Sequence, residues 1–180
     1  MVSYILALIT SIAALAFDQY SKYYISNFCE VNNLGIGADV YSGKLINVTY
    51  VLNDGAAWSM LENQTWLLLS ITIVVMLICI ALLLKYGAKN KLMFWAITLI
   101  LSGGIGNMID RIFNGGNVRD FIQFAFWKAY PVFNIADCAI VIGAGLLILY
   151  FILDMLKESK QKRPIKVEHT PQETSDNGKD

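Results

Sequence analysis

Four long apolar blocks dominate this chain of 180 residues and restrict it to folds that place helices in a membrane. The blocks occupy residues 4–17, 66–84, 92–109 and 132–153. A helix needs about 20 mostly apolar residues to cross the hydrocarbon core of a bilayer, and the second and fourth blocks meet this requirement. The first block is shorter and meets it only if its helix continues past Asp18. We therefore predict a mainly α, polytopic membrane protein with four transmembrane helices.

Composition agrees with this prediction. Hydrophobic residues make up 56% of the chain, whereas a typical soluble domain is about 45–50% apolar. The net charge is zero, so nothing indicates a nucleic-acid partner. The third block is interrupted by small and polar residues at its far end, which we expect to face protein rather than lipid. These residues are Ser102, Gly103, Gly104, Gly106 and Asn107.

The first block has an alternative interpretation as a cleaved secretory signal peptide. Its residues 14–16, Ala-Leu-Ala, resemble the small-x-small pattern that precedes a cleavage site. However, a signal peptide has a basic residue before its apolar region, and no Lys or Arg precedes this block. Helical spacing also continues through residues 18–22. We expect the block to remain in the protein as its first span.

Basic residues predict the orientation of the spans, because Lys and Arg concentrate in cytoplasmic loops. The loop between the second and third spans carries Lys85, Lys89 and Lys91 and no acidic residue. Five more basic residues follow the fourth span, at positions 157, 160, 162, 163 and 166. Both termini are therefore expected in the cytoplasm. Segments 23–65 and 110–131 are then extracytoplasmic.

Residues 1–156 are expected to form one membrane domain with two extracytoplasmic parts. The first, at about 28–62, is predicted to be rich in β-structure, because residues 45–52 have strand-like composition and end at a turn signal. The second, at about 117–130, is aromatic and is predicted to be an interfacial helical segment. Residues 157–180 are polar and are predicted to form a disordered cytoplasmic tail.

The residue types in the membrane domain exclude several kinds of catalytic site. The single histidine, His169, lies in the tail, so the membrane domain has no imidazole for a serine or cysteine protease mechanism. The usual histidine-bearing zinc sites are excluded for the same reason, and we expect no metal and no cofactor. Cys138 is interpreted as a small packing residue. Four carboxylates and two cations remain near one side of the spans, and these are Asp18, Asp110, Asp120, Asp137, Lys22 and Arg111.

Asp120 and Asp137 have the spacing of a possible acid–base pair. Two aspartates that share a site cannot both ionise cheaply, so one proton is held between them. One carboxylate can then accept a proton from water while the other donates one to a substrate, which permits peptide hydrolysis without histidine or metal. The turn at Tyr130-Pro131 is expected to bring the two aspartates together.

Each charged group also has a structural interpretation. Asp18 and Lys22, four residues apart on a helix, form a local ion pair in this interpretation. The Asp110-Arg111 pair attaches the third span to its neighbours, and Asp137 is stabilised by a helix dipole. Two other functional classes also stay open. One is a proton-coupled small transporter with a carboxylate relay, and the other is a non-catalytic assembly factor.

The chain resembles the lipoprotein signal peptidase (signal peptidase II) family at five motifs in order, covering almost everything except the tail. The first two are Asp18-x-x-x-Lys22 and Asn53-x-Gly55-Ala56-Ala57-Trp58-Ser59. The third is Gly103-Gly104-x-Gly106-Asn107-x-x-Asp110-Arg111. The last two are Val118-x-Asp120-Phe121-Ile122 and Phe133-Asn134-x-Ala136-Asp137. Agreement at all five is far more specific than any single short motif.

The resemblance implies an aspartic endopeptidase of the bacterial cytoplasmic membrane that acts on diacylglyceryl-modified prolipoproteins. It would cut on the N-terminal side of the lipidated cysteine, contact membrane lipids and act as a monomer. Asp120 and Asp137 fall on the catalytic pair of the family. Its substrate-binding and support positions correspond here to Asp18, Lys22, Asn53, Gly55, Asn107, Asp110, Arg111 and Asn134.

Arg119 departs from the pattern, because apolar residues are familiar at this variable position. An inward guanidinium would favour ionised Asp120 and disturb proton sharing. We expect Arg119 to point instead to lipid phosphates.

Overall fold

Four helices and a three-stranded sheet make up the computed structural model, which describes residues 1–55, 61, 64–87 and 89–161. The helices are α1 (Val2–Val31), α2 (Thr65–Leu82), α3 (Lys91–Phe113) and α4 (Ile135–Gln161). A π-helical turn, Leu83–Gly87, extends α2. The strands are β1 (Asp39–Ser42), β2 (Ile46–Asn53) and β3 (Val118–Phe124).

The four predicted spans are confirmed as helices that are long and apolar enough to cross a membrane. In the described part of the chain these are Val2–Val31, Thr65–Gly87, Lys91–Phe113 and Ile135–Ser159. The first helix continues past Asp18 without a break, as its span required. On α2, only Leu68 and Cys79 are buried, and they lie on the side of the helix that contacts α3, so the opposite side is left for lipid.

Helix α3 lies at the centre and contacts all three other helices. Its small residues allow this, as is common where membrane helices approach closely. A Cβ atom on Gly103 would collide with the carbonyl oxygen of Ala136 on α4. One on Gly143 of α4 would lie 2.7 Å from the carbonyl oxygen of Ala96. The prediction that the far end of the third block faces protein is confirmed, because residues 102–104, 106 and 107 are all buried.

The sheet is antiparallel with strand order β1-β2-β3. The predicted strand at 45–52 is confirmed as β2. In the register of β2 and β3, Val51 lies opposite Asp120 and Asn53 lies opposite Val118. Because α1 and α3 end where the sheet segments begin, and α4 starts after β3, the sheet lies at one end of the helices.

The predicted interfacial helical segment at about 117–130 is wrong, because residues Val118–Phe124 form strand β3 and the remaining residues are not helical. A helix here would leave the polar backbone edge of β2 without a partner. The preceding turn sets up the pairing, since Gly115 and Gly116 adopt φ values of 61° and 96° that favour glycine. After β3 the chain turns again, and Phe133 bridges back to Ile122.

The predicted disordered tail at 157–180 needs one correction. Helix α4 continues to Gln161, so the first five tail residues are helical. The charged residues there follow the apolar run without a helix-breaking residue, since Pro164 comes only later in the chain. Residues 162–180, with His169, lie outside the described residues, and so do residues 56–59 of the second motif.

Candidate active site

A cavity of about 210 Å³ opens where β3, α3 and the start of α4 meet. Asp120 and Asp137 both line it, so the turn that includes Tyr130 and Pro131 does bring the two predicted carboxylates to one place. The polar lining also includes Asn53, Asn107 and Arg111. The apolar lining is formed by Val118, Tyr130, Pro131, Val132, Phe133, Ile140 and Val141, together with the backbone of Gly55.

Asp120 is held by two amide donors. Its neighbour across the sheet is Asn53, which lies diagonally to it because Asn53 pairs with Val118. Diagonal positions on one sheet face are within reach of polar side chains, and Asn53 Nδ2 donates to Asp120 Oδ2 at 2.9 Å. Asn134 Nδ2 donates to the other oxygen, Oδ1, at 2.6 Å. Both oxygens of the carboxylate are therefore fixed in direction.

Burial raises the pKa of Asp120 to about 7, and the negative charge of Asp137 adds to the increase. The physical cause is that Asp120 is only 1% exposed, so its ionised form has lost nearly all of its water. The amide hydrogen bonds from Asn53 and Asn134 favour the ionised form and oppose the increase. Asp120 can thus gain or lose a proton near neutral pH.

Asp137 is positioned by the first turn of α4. Asn134 precedes the helix, and its Oδ1 accepts from the backbone N–H of Asp137 at 2.9 Å. In return, Asp137 Oδ2 accepts from the backbone N–H of Asn134 at 3.1 Å. This reciprocal arrangement is a capping box, which satisfies two N–H groups that a helix start leaves without partners. The other carboxylate oxygen of Asp137 accepts from Asn107 Nδ2 at 2.7 Å.

An amide chain links the two carboxylates. Asn134 Nδ2 donates to Asn107 Oδ1 at 3.0 Å as well as to Asp120. Asn107 in turn donates to Asp137. Lys22 Nζ donates to the same Asn107 oxygen at 3.0 Å, so this oxygen accepts twice and the amide cannot reverse without losing both bonds.

Lys22 lies in a fully buried charged cluster beneath the amide chain. Its ammonium is 2.9 Å from Asp18 Oδ2 and 3.5 Å from Asp110 Oδ2. Asp18 Oδ1 also accepts from the backbone N–H of Ala136 at 2.8 Å, which satisfies another donor at the start of α4. The local ion pair predicted for Asp18 and Lys22 is therefore present, and it also joins α1 to the start of α4.

Gly106 makes room for this contact. A Cβ atom at Gly106 would lie 2.7 Å from Asp18 Oδ2. Gln19 also belongs to this buried charged cluster, although it was not predicted as a site residue. Its Nε2 donates to Asp18 Oδ2 and to the carbonyl oxygen of Gly106, both at 3.0 Å. The only signal for Gln19 in the sequence was its position next to Asp18.

Arg119 does not point to lipid phosphates, so the expectation for this residue is wrong, and it does not point to Asp120 either. Its Nη2 lies 2.6 Å from Asp110 Oδ1, and its backbone N–H donates to Asp110 Oδ2 at 2.9 Å. Alternation along a strand explains the direction, because Arg119 and Asp120 project to opposite faces of β3. Asp110 and Arg111 contact different partners. Asp110 binds Lys22 of α1 and Arg119 of β3, which agrees with the structural interpretation that this pair attaches the third span to its neighbours.

Arg111 extends over the cavity from α3. Its Nη2 donates to the carbonyl oxygen of Gly55 at 2.8 Å. Asn53 Oδ1 accepts from the backbone N–H of Gly55 at 3.0 Å, so Gly55 is held from both sides. Arg111 Nε is buried and has no hydrogen-bond partner among the described residues. Arg111 also lines the cavity, and the N–H groups of a guanidinium can donate to a carbonyl or carboxylate oxygen of a ligand.

The charges of the network balance only when the aspartate pair holds one proton. The four carboxylates are Asp18, Asp110, Asp120 and Asp137, and the three cations are Lys22, Arg111 and Arg119. Uncompensated charge away from water is costly. One shared proton on the pair therefore leaves the network neutral, which is the state that general acid–base chemistry requires.

All of the predicted site residues lie in this network or line this cavity. The apolar walls were predicted less well: Val118 and Phe133 stand in the motifs, but Tyr130, Ile140 and Val141 were not predicted as part of the site. Tyr130 precedes the fifth motif, Phe133 is its first residue, and Ile140 and Val141 follow Asp137 by one helical turn. Their apolar character was visible in the sequence, but it is equally typical of residues that face lipid.

Comparison with known proteins identifies a related family and related structures. A family model described as signal peptidase (SPase) II matches residues 10–153. A bacterial membrane enzyme solved by the in meso method at 2.3 Å is similar, with 30% sequence identity and a TM-score of 0.72. The match covers 91% of this chain and 94% of that one. A second, solved by the same method at 1.9 Å, has 31% identity and a TM-score of 0.70, covering 81% and 92%.

Proposed function

Because the chain belongs to the signal peptidase II family, we propose that it is an aspartic endopeptidase that cuts diacylglyceryl-modified prolipoproteins. The cut lies on the N-terminal side of the lipidated cysteine and releases the signal peptide. Asp120 and Asp137 are the catalytic pair in this proposal. The protein is a multi-pass membrane protease, and lipoprotein precursors are its substrates.

The observation that carries the proposal is the pair of carboxylates on one cavity, joined through Asn107 and Asn134. The cavity lining contains no other acid–base pair among the described residues. The pKa of Asp120, about 7, suits a group that holds a proton in one step and releases it in the next.

The pair begins the reaction with one proton. The ionised carboxylate accepts a proton from water while the water oxygen attacks the scissile carbonyl carbon. The protonated carboxyl donates its proton to the carbonyl oxygen, which gives a tetrahedral diol. When the diol collapses, one of its hydroxyl groups gives a proton to the ionised carboxylate and the carbon–nitrogen bond breaks. The nitrogen of the lipidated cysteine receives a proton from the protonated carboxyl, so the pair again holds one proton. Each aspartate alternates between acid and base, as the shared-proton chemistry of aspartic proteases requires.

The polar groups around the pair position the peptide. Arg111 lines the cavity, and we assign its guanidinium to a backbone carbonyl of the signal peptide. Asn53 is already oriented by Gly55 and Asp120. Peptide groups that have left water need such partners, since an unpaired polar group away from water is costly.

The apolar walls fit a lipid-bearing residue. Tyr130 and Phe133 line the cavity, and Phe124 packs against both rings at centroid distances of 5.3 and 5.1 Å. Trp127 packs against Tyr130 at a centroid distance of 5.1 Å and is 52% exposed. An acyl pair contributes about 0.8 kcal/mol for each buried methylene group, enough to hold the cleavage site at one depth. In this proposal the substrate lies partly in the bilayer, with its scissile bond at the start of α4.

The proposed location is the cytoplasmic membrane of a bacterium, with both termini in the cytoplasm and the sheet and cavity near the outer face. The protein is proposed to act as a monomer. The basic loop at positions 85, 89 and 91 supports the orientation.

A cleavage assay with matched precursors tests the proposal. The purified protein is mixed in detergent micelles with one precursor whose cysteine carries diacylglycerol and with the same precursor unmodified. We expect rapid cleavage of the first at the bond before the cysteine, identified by mass spectrometry, and very little cleavage of the second. Equal rates would exclude lipid recognition. An absence of cleavage from both would favour a transporter or an assembly factor instead.

A further inference from the structure

Arg119 and Asp110 form the tightest ion pair near the site, although neither residue lines the cavity. Asp110 is fully buried on α3 and receives three donors from Arg119. Nη2 lies at 2.6 Å, Nε at 3.4 Å and the backbone N–H at 2.9 Å. The pair thus attaches the backbone of β3 to α3 immediately before Asp120.

Arg119 cannot act on a substrate directly. Its side chain leaves β3 on the face opposite to Asp120, and it is 16% exposed at the Asp110 side of the strand. The charged or titratable groups that face it are Asp110 from α3 and the Tyr50 phenol from β2. Any influence on the chemistry must pass through other residues.

Lys22 is the residue through which this influence passes. Its single positive charge lies between two buried carboxylates, Asp18 at 2.9 Å and Asp110 at 3.5 Å. The shorter contact is with Asp18, and Lys22 also donates to Asn107 Oδ1. Asp110 tolerates the longer contact because Arg119 supplies its main counter-charge.

We propose that Arg119 is a positioning residue, which neutralises Asp110 so that Lys22 stays on Asp18 and on the Asn107–Asn134 amide chain that holds Asp120 and Asp137. This rests on the proposed function of that aspartate pair. Without the guanidinium, two buried carboxylates compete for one ammonium, and Lys22 moves toward Asp110. The Asn107 amide then loses its Lys22 bond, and both aspartates lose part of their orientation.

Two measurable consequences follow. The value of kcat falls because the acid–base pair is less well aligned, whereas KM changes little because no substrate contact is removed.

The second consequence is that the alkaline limb of the kcat–pH profile moves to higher pH. The groups that face Asp120 are Asp137 from α4, Lys22 from α1 and Arg111 from α3, with the neutral amides of Asn53 and Asn134. Moving the Lys22 charge away disfavours ionised Asp120, so its proton is lost at higher pH.

Two variants separate charge from hydrogen bonding. Arg119→Gln keeps one amide donor and removes the charge, and Arg119→Lys keeps the charge and removes the planar fork. The kcat–pH profile and KM are measured with the diacylglyceryl precursor, beside thermal unfolding in detergent. For Arg119→Gln we expect kcat to fall about tenfold or more, as misplacement of catalytic groups causes, with KM nearly unchanged and the alkaline limb shifted upward. For Arg119→Lys we expect the alkaline limb of the kcat–pH profile to stay at the same pH as in the unmodified protein.

Controls make the outcomes distinguishable. Lys44→Gln removes an exposed cation from the hairpin between β1 and β2 and should leave kcat and the limb unchanged. Asp120→Asn is measured in parallel. If it abolishes cleavage while Arg119→Gln matches the unmodified protein, the positioning role is wrong and the catalytic pair stands. A loss of kcat that follows the loss of thermal stability, with no shift of the limb, would also overturn the positioning role. If Arg119→Gln does not fold, Arg119→Lys decides, since a shifted limb in this charge-preserving variant contradicts the proposal.

Discussion

Asn134 and Asp137 cap the start of α4 reciprocally, with the backbone N–H of each donating to a side-chain oxygen of the other at 3.1 and 2.9 Å. The same Asn134 donates its amide to Asp120 at 2.6 Å. One asparagine therefore starts the helix that carries one proposed catalytic carboxylate and contacts the other. Helix capping and the alignment of the two carboxylates are coupled through this residue.

Substitution of Asn134 separates the two roles. Asn134→Ser keeps a capping oxygen but loses the amide that reaches Asp120, so we expect near-normal thermal stability with kcat reduced about tenfold or more. Asn134→Ala loses both, and its free energy of unfolding should fall by roughly 1 kcal/mol in addition. Thermal unfolding in detergent and cleavage rates measure the two effects. Normal kcat in the serine variant would exclude a role for Asn134 in aligning Asp120.

The second prediction concerns pH. The shared-proton mechanism needs one proton on the pair, and burial raises the pKa of Asp120 to about 7. As pH rises through this value the last proton leaves, so kcat should fall on the alkaline side with an apparent pKa near it. Asn53→Ala removes a donor to the ionised form of Asp120, which should move this limb to higher pH.

Asn47→Ala is the matched control, since Asn47 lies on the same strand and contacts Gln123 and Gly43 outside the cavity lining. The alkaline limb of the kcat–pH profile should not move in Asn47→Ala. A limb that moves to lower pH in Asn53→Ala, or equally in both variants, would contradict the assignment of this limb to Asp120.

The helices were predictable from sequence because the signal for each lies within about 20 consecutive residues. The continuation of α1 past Asp18 was also visible, since helical spacing runs through Lys22. Strand β3 was not predictable in this way. Its partner β2 is distant in the chain, as the separation of 67 residues between Asn53 and Asp120 illustrates. The aromatic composition after Asp120 fits an interfacial helix equally well.

The candidate site was likewise predictable from sequence only in part. The five motifs named the polar residues, and the structure brings them together. The direction of Arg119 was not visible, because its partner Asp110 comes close only after the glycine turn at residues 114–116 reverses the chain. The double donation to Asn107 Oδ1 was also hidden, since it joins α1, α3 and the start of α4. Such contacts depend on tertiary packing and have no local sequence pattern.

Metal independence is the third prediction. Among residues 1–55, 61, 64–87 and 89–161, no three His, Cys, Asp or Glu side chains are grouped as metal ligands would be. The aspartate pair is proposed to activate water by itself, so strong chelators should leave the cleavage rate unchanged. Loss of activity on chelation that one divalent metal restores would mean that the carboxylates are ligands and not an acid–base pair.

The fourth prediction concerns orientation. A reporter that is active only outside the cytoplasm should work when fused near Gly43, in the hairpin between β1 and β2. The same reporter fused near Lys89, between α2 and α3, should be inactive. A cytoplasmic reporter at both positions gives the reciprocal control. The opposite pattern would place the sheet and the cavity on the cytoplasmic side and would contradict the proposed extracytoplasmic processing.

The central claim, that Asp120 and Asp137 are the catalytic pair, is tested most directly by the cleavage rate of two nearly isosteric variants. Asp120→Asn and Asp137→Asn are purified, checked for folding by thermal unfolding, and assayed on the diacylglyceryl precursor. Each removes one member of the only acid–base pair in the described cavity lining, so kcat should fall about 10²-fold or more in both. A folded Asp120→Asn or Asp137→Asn protein that cleaves at a rate close to the original would contradict the account.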